Sequence, residues 1–144
     1  MMPDQISFPA LVDEAAVKEF SAHLLDLVGF LQTELHRLSG VDSSLVGSSY
    51  GVLMEIYGLR TRAYILLNDS KSHVVGALGF SQGELISMLD RISAVVRAIG
   101  SLKVLASLVM SIATFTVSLG EGKVKVVNFL FKEICDELIG CEGG

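Results

Sequence analysis

Between Asp13 and Leu38 the apolar side chains Val17, Phe20, Leu24, Leu27, Leu31, Leu35 and Leu38 recur in steps of 3, 4, 3, 4, 4 and 3. An α-helix, with about 3.6 residues per turn, puts such positions on one face. A stripe this long and narrow must be covered by other helices, as in the seam of a bundle. Asp13 and Glu14 suit the positive end of that helix, and Gly40 is placed as its stop. The only prolines are Pro3 and Pro9, so no later residue is barred from a helix.

The same stepping predicts further helices. One runs from about Ser43 to Leu67, capped by Asp42 or Ser43, with Leu45, Val52, Ile56, Leu59, Ala63 and Leu66 as its stripe. It contains Gly47, Gly51 and Gly58. Each costs a helix about 1 kcal/mol relative to Ala, so their presence points to close backbone approach by a neighbour. Asn68-Asp69-Ser70 then breaks the chain and matches a glycosylation sequon, which matters only on an exposed loop. Residues 70–80 read as a loop with Gly76 and Gly79, or as a short apolar turn around Val74 and Val75.

Ser81-Gln82-Gly83-Glu84 has the form of a capping box. Leu85, Met88, Leu89, Ile92, Val95, Val96 and Ile99 follow at helical spacing, and Gly100 either ends this helix or bends it into the next. Val104 to Leu119 is a run of sixteen residues without a charge. It falls short of the ~20 residues of a simple membrane span. Ser107, Ser111, Thr114, Thr116 and Ser118 dilute it further, which predicts a buried central helix. After Gly120-Glu121-Gly122, the segment Lys123 to Val126 alternates like a strand. The longer series Val127, Leu130, Phe131, Ile134 and Leu138 steps like a helix and decides the assignment. Gly140 is expected to stop it and leave a loose tail at 140–144. The expected fold is all-α: a single four- to five-helix bundle over 1–144 with short Gly/Ser/Asp turns and a short N-terminal arm at 1–12.

Chemistry-bearing motifs are sparse. Glu19, His23 and Asp26 share one side of the first helix, but neither HExxH nor the Glu-x-x-His of di-iron bundles occurs, so a solvated face is expected there. Gly120-Glu121-Gly122-Lys123 lacks the earlier Gly and the following Ser or Thr of a phosphate loop; those positions are Val117 and Val124. Cys135 and Cys141 lie six apart, on opposite faces of a helix, so they cannot pair within it. No metal, no cofactor and no enzymatic activity are expected. Nor does a positively charged, then apolar, leader open the chain, so a secretory signal is not expected.

Composition then matters for how such a chain lives. Hydrophobic residues are 51% and charged residues 19%, the latter below the ~25% of typical soluble domains, and Gly adds 14 more uncharged positions. This excess of apolar positions reads as interface, placed at Gly47, Gly51, Val52, Leu105, Val109, Ile112 and Phe115. Residues 1–72 carry 5 basic and 9 acidic side chains and residues 73–144 carry 6 and 7, so neither half is a basic nucleic-acid arm, and Arg60, Arg62, Arg91, Arg97, Lys123 and Lys125 remain as candidate non-specific contacts to DNA phosphates.

The first amphipathic helix, the Ser81 capping box and the uncharged Val104–Leu119 helix give a layout over Asp13 to Ile139 that resembles the α-helical coat proteins of large spindle-shaped and tailed archaeal viruses. The resemblance implies a four-helix-bundle fold, assembly of many copies into a virion shell after synthesis in the host cytoplasm, and no catalytic residues. That family also includes a relative that binds host RNA polymerase. A regulatory module docking a protein partner is therefore the alternative expectation. A third is a lipid-associated protein inserting residues 92–119 as a hairpin.

Overall fold

Five apolar stripes become five helices. The computed structural model describes residues 8–41 and 46–143, and among these it contains α1 (Glu14–Val41), α2 (Val46–Asn68), α3 (Gln82–Ile99), α4 (Leu102–Gly120) and α5 (Val124–Glu142), with no strand. The stripe that opened the argument is buried throughout, from Val17 to Leu38. Ile56, Leu59, Ala63 and Leu66 of α2 are buried as expected, and Val52 is half-buried against the core. On α3 the stripe is buried from Leu85 to Val96, whereas Ile99, in the last turn, is exposed. The proposed caps Asp42 and Ser43, and Leu45, lie outside the described residues.

Two glycines do not stop their helices. A Gly ends a helix when its backbone takes the left-handed conformation. Gly100 does so at φ 62°, which settles that α3 ends there and α4 starts afresh. Gly40 does not, and α1 continues to Val41. Gly140 does not either, so the expected loose tail is helical to Glu142. Arg91 of α3 holds that last turn, donating to both carboxylate oxygens of Glu142 at 2.7 and 2.8 Å.

The helix α4, uncharged from Val104 to Leu119, packs against all four others, while α1 packs on α2, α3 and α4. Its inward residues interlock with both ends of the chain: Phe115 meets Phe20 edge-on at 6.4 Å and Phe80 at 6.3 Å, and Phe80 stacks on Phe131 at 3.9 Å. The serines of α4 have structural uses. Ser107 and Ser111 both donate to the Glu137 carboxylate, at 2.5 and 2.9 Å, and so tie α4 to α5.

The arm and the 70–80 segment explain each other. Ser70–His73 forms one turn of 3-10 helix, after which Val75, Leu78 and Phe80 turn into the core. The end of the arm lies along this segment: Ala10 N–H donates to the Phe80 carbonyl, Val75 N–H to that of Leu11 and Gln82 N–H to that of Phe8. Gln82 completes the clasp. Its side-chain oxygen accepts from Leu11 N–H at 2.9 Å, and its amide donates to the Ala16 carbonyl and to Glu19, each at 2.9 Å. Leu11 is buried at φ 58°, a left-handed conformation that strains a branched residue by about 1–2 kcal/mol, so these bonds hold a backbone that would otherwise relax.

Replacing Gln82 by Leu leaves the buried Leu11 N–H without an acceptor. A loss of about 1–3 kcal/mol is expected, together with faster hydrogen exchange at the Leu11 amide. Unchanged exchange at Leu11 would mean that the backbone bonds alone fasten the arm.

Candidate assembly surface

The helix α2 is apolar on both sides. Ile56, Leu59, Ala63 and Leu66 face the core, while Tyr50 (64% exposed), Met54 (50%), Tyr57 (42%), Tyr64 (48%) and Ile65 (50%) stand in solvent. These include all three tyrosines of the chain. The exposed positions from 50 to 68 are Tyr50, Gly51, Met54, Tyr57, Thr61, Tyr64, Ile65 and Asn68, and none is charged. The neighbouring α4 adds Met110, Thr114, Val117 and Gly120 on its own outer side, where the one exposed charge is Lys103 in the first turn. The two faces meet in a shallow concavity of about 250 Å³, where Ile65 and Val117 lie with Arg62, His73 and Glu121. Arg62 braces its floor by donating to the Thr116 hydroxyl at 3.1 Å.

Most of the interface residues expected from sequence lie elsewhere. Leu105, Val109, Ile112 and Phe115 are 0% exposed, so they belong to this chain's own core and no second chain can reach them. The reason is competition: a bundle takes the bulkiest face of its most apolar helix first. Gly51 is exposed, and a Cβ added there would meet nothing within 4 Å. Gly58 would meet only Arg62 of its own helix, at 3.4 Å. Among the described residues, therefore, neither glycine serves close approach by a neighbouring helix. Gly47 lies in α2, but its surroundings fall outside the described residues. The signal that sequence reading missed was the outer tyrosine series, because the glycines and the inward stripe drew the argument first.

The candidate phosphate contacts do not converge. Arg62 is engaged with Thr116, Arg91 with Glu142, and Lys123 with Glu121 at 3.1 Å. The guanidinium of Arg97 lies over the Phe30 ring at 4.7 Å. Arg60 sits on α2 and Lys125 on α5, and while α3 and α5 pack together, α2 packs on α1 and α4. A phosphate backbone is held by several cations presented together, and these six are spread over the bundle with four already occupied.

Among the described residues no three of His, Cys, Asp and Glu cluster as metal ligands would. Burial pushes the Cys135 thiol up, against the opposing pull of nearby Arg91, so it is a poor nucleophile at neutral pH. Asp13 and Glu19 are the ionisable groups lining the hollow between Phe8, Val12 and Gln82, and Glu19 already accepts from Gln82. Asn68 is exposed at the end of α2.

The hydrogen bonds from Arg91, outweighing the opposing desolvation, hold the Glu142 carboxyl below its ordinary range. A carboxylate with a lowered folded-state pKa stabilises above its unfolded pKa, and that contribution disappears as pH falls through the lowered value. Acidification across the carboxylate range should therefore fray the last turn of α5 before the rest of the fold. Hydrogen exchange at 139–143 checks this, with Glu142→Gln expected to abolish the pH dependence. The helix α4 is long and apolar enough to cross a membrane by length and composition, but half of it is buried inside the protein. Set against protein-family models, curated proteins and solved structures, the chain matches none of them.

Proposed function

We propose that this chain is a non-enzymatic structural protein that assembles with copies of itself through helix–helix contacts, in the manner of a viral coat protein. The observation that carries this reading is the uncharged outer face of α2, with every tyrosine of the chain on it. Tyr and Met are enriched in protein interfaces, where charged residues are depleted. Contiguous apolar surface left in water favours association, because covering it releases about 25 cal/mol per Å².

The scattered and occupied cations favour shell building by protein contacts over organisation on nucleic acid. The use of Leu105, Val109, Ile112 and Phe115 in the core favours a packed bundle over an inserted hairpin at 92–119, which would have to pull them out.

Gel filtration with light scattering over a wide concentration range, followed by negative-stain imaging, tests this. A mass that is a multiple of 15.4 kDa and grows into regular particles is expected. A 15.4 kDa species at every concentration would overturn the reading.

A further inference from the structure

Tyr50, Tyr57 and Tyr64 are spaced by seven residues, and Met54 and Thr61 fall between them in steps of 4 and 3. All five are exposed on α2. This is the a/d pattern of a helix that pairs with another helix along a seam. Among the described residues the core takes the opposite face, through Ile56, Leu59, Ala63 and Leu66.

We propose that a second copy covers this seam, α2 against α2, antiparallel about a two-fold axis passing between Met54 and Tyr57. The proposal rests on the self-assembly reading and names its primary contact. Charge supports a second copy, because two identical faces meet here without opposing like charges or burying any. A lipid surface needs no heptad register, and the cations beside this face, Arg60 and Arg62, are half-buried, with Arg62 held by the Thr116 hydroxyl.

Size decides the direction. Parallel helices in register would stack tyrosine on tyrosine in three layers and hold the backbones apart. The antiparallel arrangement sets Tyr57 against Met54 of the second copy and Tyr50 against its Thr61. Each ring then meets a flexible Met or a small Thr instead of another ring, which allows the axes to approach to about 8–10 Å. Opposed helix dipoles favour the same direction. The open space at Gly51, one residue beyond Tyr50, admits the second helix at the edge of the seam.

Cysteine crosslinking of the full chain tests the arrangement in a Cys135→Ser, Cys141→Ser background. Tyr50→Cys and Thr61→Cys are made separately; both sites are exposed, and unchanged thermal midpoints establish that each variant folds. In the antiparallel seam a residue at 50 and its own symmetry mate are 11 residues apart along the axis, about 16 Å at 1.5 Å per residue, and so are two residues at 61. Neither variant alone should form a disulfide-linked dimer on mild oxidation, while an equimolar mixture should. Self-crosslinking of each variant alone would establish a parallel seam and overturn the proposal. If light scattering gives an assembly but no mixture crosslinks, the seam is wrong and self-assembly stands. A monomer at every concentration removes both.

Discussion

Tyr57→Glu is expected to release the chain as a folded monomer. Tyr57 lies at the middle of the outer series on α2, half-exposed, and in the described contacts its carbonyl accepts from Thr61 of the same helix at 3.1 Å. Its ring is not among the side chains packed against the core, so folding stability should change by no more than about 0.5 kcal/mol. Association is another matter. A central interface tyrosine typically contributes at least about 2 kcal/mol, which is roughly 30-fold in Kd. Glutamate adds the cost of desolvating a carboxylate inside an uncharged seam. Sedimentation equilibrium should therefore find weakening well beyond 30-fold, with the urea midpoint of the monomer unchanged. An assembly of unaltered mass would rule α2 out as the contact.

Phe115→Ala is expected to produce the opposite phenotype, loss of the fold itself. Phe115 is fully buried and joins α1 to the 74–80 segment through Phe20 and Phe80. Removing a buried phenyl ring costs about 3–5 kcal/mol once the cavity is counted. Small domains have only about 5–15 kcal/mol in total, so the variant should be marginal. With a urea dependence of ~1–3 kcal/mol per M, the midpoint should fall by on the order of 2 M. Val117→Ala, two residues away on the outer face, is the control and should move the midpoint little. Equal effects at 115 and 117 would mean that the faces of α4 are assigned wrongly.

The two variants separate what the sequence reading joined. It placed the interface on Leu105, Val109, Ile112 and Phe115 because they are the most apolar residues of the most apolar helix. Hydrophobicity measures how much a side chain gains by leaving water, and is silent on whose atoms cover it. In α1 and α3 polar residues mark the solvent side, and the buried stripes of these helices, of α2 and of α5 were legible. The outer sides of α2 and α4 carry few charges, and pattern alone is silent on whether a neighbour covers them.

Other features were hidden for a related reason. Phe80, Gln82 and Asn128 fasten the 74–80 segment and the arm, with Asn128 accepting from Gly79 N–H at 2.7 Å. The side-chain hydrogen bonds of Gln82 and Asn128 span between 49 and 71 residues, so no local period announces them. By contrast, the Ser81 capping box was readable in four letters, because both its hydrogen bonds close within one turn.

The sequence by itself determined where the helices run and which faces of α1, α2, α3 and α5 turn inward, because period, caps and charge act over a few residues. Only the tertiary structure decided that the core would take Leu105, Val109, Ile112 and Phe115 of α4 and that the outer side of α2 would stay uncovered among the described residues. That choice depends on which neighbour arrives to cover each face, and it left the tyrosines of α2 in water.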